Sequence, residues 1–180
     1  PIRPLPGSEP RVFVFTGANP LRRWPAPQYA EKVLWPKLEM IVDINFKGST
    51  SGMKGDLILP TSGYYERDSL KYSQTYLPYL LLCEKAVEPL GDAKPEWEIF
   101  GLLARKVQER ALERGVSTVR DAVNGEVDIS KLYDAWSENG QFHESDPMKA
   151  LEWILAETDS SGNMNWAEAS KTGLLPVIKA

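Results

Sequence analysis

Apolar residues in the first third of the chain form three short continuous runs instead of alternating with polar residues. The runs cover residues 12–15, 40–44 (MIVDI, apolar except for Asp43) and 57–59, and Pro60 ends the third. Continuous apolar runs are typical of strands covered on both faces, as the strands of parallel sheets are. The second and third runs are about a dozen residues apart, the minimum for a parallel connection. The pattern predicts a small, mainly parallel sheet with flanking helices, which is an α/β fold.

Helical spacing replaces these runs further along the chain. A first helix is predicted over residues 28–34, and it stops before Pro36. Residues 61–93 show no regular pattern and are rich in tyrosine. Pro95 suits a first helical turn and Gly115 suits a C-cap, so a long helix is predicted between them. Its apolar face consists of Ile99, Leu103, Val107 and Ala111.

The pattern after residue 115 is wholly helical. Asp128 is the predicted N-cap of a helix that ends at Asn139 and Gly140, and Asp146 and Pro147 open another helix. The apolar positions of these helices are Ile129, Leu132, Tyr133, Trp136, Leu151, Ile154 and Leu155. The chain is therefore predicted to comprise an incoming loop over 1–10, an α/β section over 11–115 and a C-terminal helical extension over 116–180.

Composition narrows the classes of function. The net charge of −4 and pI near 5.2 argue against a surface for nucleic acid or an anionic membrane, since both need an excess of basic residues. No apolar run approaches the roughly 20 residues of a membrane span. The single cysteine, Cys83, and single histidine, His143, exclude an internal disulfide and a cysteine-rich metal site held by this chain alone. Cys83 is interpreted as a buried small hydrophobic residue and His143 as a solvated loop residue.

The first apolar run leads directly into a turn of small residues. Thr16, Gly17, Ala18 and Asn19 follow it, and Pro20 ends the strand. Backbone N–H groups at such a position can bind a dinucleotide phosphate, and Asp43 at the end of the second run suits a ribose hydroxyl. The turn is not the G-x-G-x-x-G pattern, however. From spacing alone, phosphate binding and a plain tight turn remain equally open. Arg22 and Arg23 are either phosphate ligands or surface charge.

Two further motifs have simpler interpretations. Residues 157–168 have the oxygen-ligand spacing of a calcium loop, but Glu157 stands where Asp is usual and no second loop accompanies it. Asn165 and Glu168 alternatively form a variant capping box for a last short helix, which is the favoured interpretation. Glu66 and Asp68 in the segment YYERD are paired carboxylates that could perform acid–base chemistry, and a solvated charged loop is the favoured interpretation there.

Three ordered blocks resemble a known family. They are VFVFTGANPLRRWP (12–25), EMIVDINFKGSTSGMKGDLILPTSGYYERD (39–68) and KAVEPLGDAKPEWEIFGLLARKV (85–107). Together they resemble the molybdopterin oxidoreductases of the dimethyl sulfoxide reductase family. They are most similar to catalytic subunits grouped with ethylbenzene dehydrogenase, dimethylsulfide dehydrogenase, selenate reductase and nitrate reductase. The resemblance covers residues 11–110 well and implies a Rossmann-like sheet.

The resemblance implies a cofactor and the residues that bind it. In the family, the turn after the first strand and the end of the next strand line the site of one of two molybdopterin guanine dinucleotides. Carried over by position, Thr16, Gly17, Ala18 and Asn19 lie near the phosphates, and Asp43 approaches the guanosine portion. Three further residues fall on family motifs that line this site, namely Ser49, Thr50 and Asp56. Gly55 replaces the alanine that usually precedes that aspartate.

The resemblance also implies what this chain lacks. The family's iron–sulfur cysteines and molybdenum ligand have no counterpart here, so the chain resembles an internal section of a longer enzyme, and no catalytic or metal residue is predicted. The implied partners are the remainder of the catalytic subunit and an iron–sulfur electron-transfer subunit, and the implied location is the periplasm or cell exterior. The alternatives are a free-standing nucleotide-binding α/β domain and a non-catalytic interaction module.

Overall fold

The computed structural model describes residues 9–72, 79–121, 125–157 and 164–176. Contacts divide the chain into two compact units. Unit 1 contains Pro1–Ser62 and Gly91–Lys94, and unit 2 contains Gly63–Leu90 and Pro95–Ala180. In the part of the chain that the structure describes, no helix has the length and apolar character needed to cross a membrane.

Unit 1 is built on a three-stranded parallel sheet. Its strands are β1 (Val12–Thr16), β2 (Met40–Asn45) and β3 (Leu57–Pro60), and β2 lies between the other two. Both pairings are parallel, with Val12 opposite Met40 and Val42 opposite Leu57. The three apolar runs are therefore strands, and the predicted parallel α/β sheet is confirmed.

Short helices connect β1 to β2. They are α1 (Pro20–Arg23) and α2 (Pro27–Tyr29), and α2 continues as a π-helical segment (Ala30–Leu34) and a 3-10 turn (Trp35–Lys37). The predicted helix over 28–34 is confirmed, since the π-helical segment ends at Leu34, before Pro36, and only the 3-10 turn follows it. Pro36 lies in the first turn of the 3-10 segment, where a missing backbone N–H breaks no hydrogen bond.

Val42 and Ile44 of β2 are buried on one face of the sheet, and the larger core cluster of unit 1 lies on the other face. Phe15, Leu21, Trp35 and Ile41 are buried together there, and the Trp35 indole N–H donates to the carbonyl oxygen of Lys54 at 3.0 Å. On the other face of β1, Val12 and Val14 are 54% and 41% exposed. The prediction that β1 is covered on both faces is therefore wrong for the residues described, because the connecting helices pack against one face.

Unit 2 contains strands and helices. The strands are β4 (Ser69–Tyr72), β5 (Tyr79–Cys83), β6 (Thr118–Asp121), β7 (Gly125–Asp128) and β8 (Leu174–Pro176). All their pairings are antiparallel, in a β4-β5-β8 sheet and a β6-β7 hairpin. The predictions of an irregular 61–93 segment and a wholly helical stretch after residue 115 are therefore wrong. Cys83 is half-buried in β5.

The helices of unit 2 are α3 (Glu96–Arg114), α4 (Leu132–Trp136), α5 (Pro147–Glu157) and α6 (Trp166–Ala169). Gly115 caps the C-terminus of α3 as predicted, with a left-handed φ of 65°, whereas Pro95, predicted in the first turn, is the N-cap that precedes it. Leu103, predicted on its apolar face, is 50% exposed, whereas Gly101 and Ala104 are buried. Asp128 caps the 3-10 turn Ile129–Lys131 that precedes α4, as predicted, but the helix ends at Trp136, before Asn139.

A buried carboxylate links α4 and the loop before α5 to α3. Glu144 is 4% exposed and accepts hydrogen bonds from the Tyr133 hydroxyl at 2.5 Å and the Arg105 guanidinium at 2.7 Å. Burial acts to raise the pKa of Glu144, but the Tyr133 hydrogen bond and the Arg105 charge outweigh it and lower that pKa. His143, next to it, is in a loop with its side chain 56% exposed, as predicted.

The lowered pKa of Glu144 predicts that acid destabilises unit 2. The stabilising contribution of Glu144 is present above the unfolded pKa of about 4.3 and is lost as pH falls through the lower folded pKa. Glu144→Gln should therefore reduce the loss of unfolding free energy between pH 7 and pH 3 in urea titrations. Glu152→Gln, an exposed position on α5, should keep the wild-type pH dependence. Identical pH profiles for wild type and Glu144→Gln would contradict this account.

Candidate functional site

The carboxyl ends of the three parallel strands meet at one edge of unit 1. The turn Thr16 to Asn19 follows β1, residues 46–52 follow β2, and Thr61 follows β3, with its N–H donating to the Asn45 carbonyl at 3.1 Å. In open α/β sheets, this edge is where ligands bind. The structure thus brings together two of the segments in which the sequence placed site residues, and we refer to this region as the carboxyl edge.

The turn after β1 has free backbone donors. Gly17 has a left-handed φ of 57°, and its N–H donates to the Ile44 carbonyl at 3.0 Å, which extends the sheet ladder. The N–H groups of Ala18 and Asn19 donate to no acceptor among the described residues. Of the backbone amides predicted to face a phosphate, Gly17 is therefore already bonded, and Ala18 and Asn19 are available.

Ser51 fastens this turn to the loop after β2. The Ser51 hydroxyl is fully buried, donates to Asn19 Oδ1 at 2.7 Å and accepts the Leu21 N–H at 2.8 Å. The Ser51 backbone N–H approaches the same Asn19 oxygen at 3.3 Å. Asn19 Oδ1 therefore accepts its hydrogen bonds from Ser51. Asn19 Nδ2 donates no hydrogen bond to the described residues.

Asp43 is fully buried beneath the same loop. Its Oδ2 accepts the Ser49 hydroxyl at 2.8 Å, and Ser49 Oγ accepts the Gly52 N–H at 2.9 Å. A Cβ at Gly52 would overlap Asp43 Oδ2, so only glycine allows the loop to lie this close to the carboxylate. The side chains that donate hydrogen bonds to Asp43, those of Ser49 and Asn45, are neutral. Asp43 therefore fixes the loop.

Asn45 was not predicted from the sequence. It is 5% exposed at the end of β2, and its Nδ2 donates to Ala18 O and to Asp43 Oδ1, both at 3.3 Å. Ser51 was also missed, whereas its predicted neighbour Thr50 is exposed. A polar residue at the end of a buried apolar strand is the sequence signal that could have identified Asn45.

Asp56 lies away from the carboxyl edge. It directly precedes β3, and its Oδ2 accepts the Ile41 N–H at 2.8 Å while its own N–H donates to the Ile41 carbonyl at 2.9 Å. These bonds join the amino-terminal ends of β2 and β3. The structure therefore does not bring Asp56 to the other predicted residues.

The remaining candidates have local partners. Glu66 accepts the Gly63 N–H at 2.6 Å, and Asp68 accepts the Lys85 N–H at 2.9 Å, which favours the structural interpretation of YYERD. The Glu168 N–H donates to Asn165 Oδ1 at 2.9 Å, which confirms the predicted cap. The calcium prediction falls largely on 158–163, outside the described residues, and no metal-binding group occurs within the described ranges. Arg22 and Arg23 are exposed on α1.

The close approach of Gly52 to Asp43 predicts that position 52 requires glycine. Gly52→Ala should lower the free energy of unfolding by about 1–3 kcal/mol, because the added methyl group must displace the buried carboxylate or the loop. Gly48→Ala in the same loop is a matched control, since its Cβ would meet Met53 Sδ at an ordinary 3.9 Å. Thermal and urea unfolding measure both variants, and equal effects would contradict the packing argument.

Comparisons with known proteins identify the family to which this chain belongs. A family model described as molybdopterin oxidoreductase matches residues 5–106. The chain is 36% identical over 163 residues to the respiratory nitrate reductase subunit alpha of Haloferax mediterranei, covering 86% of this chain and 16% of that protein. It is 33% identical over 117 residues to the dimethylsulfide dehydrogenase subunit alpha of Rhodovulum sulfidophilum, covering 64% and 12% respectively.

The fold has a solved counterpart. Acetylene hydratase from Pelobacter acetylenicus superimposes with a TM-score of 0.57 at 16% identity, over 92% of this chain and 18% of that one. This chain therefore spans less than a fifth of the length of these matched proteins. Since the family model covers more than half of its residues, the chain belongs to the molybdopterin oxidoreductase family, that of dimethyl sulfoxide reductase, as its sequence predicted.

Proposed function

We propose that this chain is a cofactor-binding section of a bis(molybdopterin guanine dinucleotide) molybdenum oxidoreductase, and that unit 1 positions one of the two dinucleotides. The observation that carries the proposal is the pair of free N–H groups at Ala18 and Asn19, at the carboxyl end of β1. Membership of the family supports a molybdopterin cofactor. The guanine dinucleotide form and its place on unit 1 are parts of the proposal.

The residues at the carboxyl edge suit a diphosphate. Phosphate oxygens accept hydrogen bonds, and the turn provides two backbone N–H donors and the outward Nδ2 of Asn19. The carboxylate of Asp43 is fully buried and bonded to Ser49 and Asn45, so it presents no exposed negative charge to the phosphates. The chemistry of these donors therefore fits the group.

Each predicted residue then has a defined part. Thr16, Gly17, Ala18 and Asn19 form the turn that receives the phosphates, and Thr50 adds an exposed hydroxyl to the same edge. Asp43 and Ser49 act indirectly, because the hydrogen bond between them holds the loop after β2 in place. The hydrogen bond from Ser51 to Asn19 then joins the turn to that loop. Asp56 fixes the starts of β2 and β3 and so supports the edge indirectly.

The chemistry of the reaction belongs to the cofactor. When bound, molybdenum supplies the oxidation and reduction that accompany transfer of an oxygen atom or hydroxyl group. The residues of this chain bind and orient the dinucleotide, and none is proposed as catalytic. The remainder of the catalytic subunit and an iron–sulfur electron-transfer subunit are the proposed partners.

Nucleotide titrations followed by NMR test the proposal on the 180-residue chain. Addition of GDP should shift the backbone amide signals of Ala18 and Asn19 more than that of Gly17, which already donates to Ile44. Ser51→Ala should weaken GDP binding about fivefold, because it removes the hydroxyl that holds Asn19 and leaves the Leu21 N–H unpaired. Ser170→Ala in unit 2 is the matched serine control.

Two outcomes would count against the proposal. GDP shifts that spare the turn and map to unit 2 would move the site elsewhere. NAD binding much tighter than GDP binding would favour a free-standing dinucleotide domain of another kind. Weak GDP binding that centres on Ala18 and Asn19 is the expected result.

A further inference from the structure

A row of apolar side chains on α3 is only partly covered. Leu103, Val107 and Ala111 are four residues apart, so they lie on one side of the helix and form a ridge of the kind that packs against another helix. Ala111 is buried, but Leu103 is 50% exposed and Val107 is half-buried. The first part of this ridge therefore lacks a packing partner among the described residues.

A row of basic side chains runs beside the apolar row. Lys106, Arg110 and Arg114 are exposed, and each follows a member of the apolar row by three positions, so the two rows are neighbours on the helix surface. Lys106 pairs with Glu109 at 2.8 Å, and Arg110 pairs with Glu113 at 2.8 Å. Arg114 forms no ion pair with the described residues. Exposed ion pairs within a helix are weak, so a partner can compete for all three cations.

The two rows line a groove that belongs to unit 2. Val116 and Ile129, which follow α3, complete its lining, and its volume is about 340 Å³. The Val116 N–H donates to the Ala111 carbonyl at 2.9 Å, and the Ile129 N–H donates to the Ser117 carbonyl at 2.9 Å, which holds both side chains in place. The described residues that line the groove include no aspartate or glutamate, although the net charge of the chain is −4. The groove therefore combines apolar surface with a charge opposite to that of the whole chain.

We propose that this groove binds an acidic amphipathic helix of a partner protein. A helix with apolar residues at every fourth position presents a ridge that fits between the two rows of α3. Carboxylates three positions after those residues form a second row with the same spacing as Lys106, Arg110 and Arg114, so opposite charges meet along the contact. The described lining contains no aromatic side chain on which the bases of a single-stranded nucleic acid could stack, which favours a helix over that ligand.

A designed peptide tests the proposal on the 180-residue chain. The probe is a fluorescein-labelled helical peptide with leucine at every fourth position and glutamate three residues after each leucine. It should bind and shift the backbone amide signals of α3 and Val116, and its affinity should fall as salt rises from about 0.1 M to about 1 M. Peptides with glutamine in place of each glutamate, or serine in place of each leucine, should bind about fivefold more weakly.

Charge reversal at Arg114 tests the pairing. Arg114→Glu should weaken binding of the probe about fivefold, because a carboxylate of the peptide then faces a like charge. Among peptides that carry lysine at a single glutamate position, one should restore binding to this variant, whereas a lysine on the opposite face of the peptide should not. Lys149→Glu, which reverses an exposed cation on α5 outside the groove, should bind the probe as wild type does.

Several results would overturn the proposal. Absence of binding, or equal binding of the glutamate and glutamine peptides, would show that the groove does not recognise an acidic helix. Amide shifts that spare α3 would place the peptide elsewhere. Self-association of the wild-type chain that Arg114→Glu abolishes would assign the groove to a second copy. Binding to phosphatidylglycerol vesicles that Arg114→Glu abolishes would assign it to a membrane surface.

Discussion

The carboxyl edge of unit 1 depends on one buried carboxylate. Asp43 is fully enclosed within the sheet and its loop, and a buried polar group needs hydrogen-bond partners to replace the water that it loses. The Ser49 hydroxyl and the Asn45 amide supply them, and the absence of a side chain at Gly52 lets the loop close over the carboxylate. The direction of Asn45 and the path of the loop after β2 both follow from this one group.

A second set of hydrogen bonds joins the turn after β1 to the loop after β2. Ser51 joins the loop after β2 to Asn19 and Leu21 in the connection after β1. The turn and the loop are about 30 residues apart in sequence, yet each restricts the other, as the Asn45 contact with Ala18 does again. Groups held in this way lose little conformational freedom when a ligand binds, which favours precise positioning.

The sequence identified the elements whose signals are local. Continuous apolar runs located β1, β2 and β3, and Pro95, Gly115 and Asp128 marked helix ends through their own backbone preferences. It missed β8, because the partner of that short strand is β5, about 90 residues earlier. For the same reason it chose Thr50 over Ser51, since only the folded chain shows which of two adjacent hydroxyl groups meets Asn19.

The chemistry of the edge explains what unit 1 can contribute to binding. Its available groups include the N–H groups of Ala18 and Asn19 and the exposed Thr50 hydroxyl, Lys47 in the loop after β2 is exposed, and the carboxylate of Asp43 is buried. Neutral hydrogen bonds to a ligand contribute about 1 kcal/mol each, whereas charged partners contribute more. Arg22 and Arg23 are exposed on α1, directly after the turn, and form no ion pair with the described residues. The exposed cations closest in sequence to the edge are therefore Lys47 in the loop after β2 and Arg22 and Arg23 on α1, and their attraction for an anion acts over a longer range than the neutral hydrogen bonds and weakens as ionic strength rises.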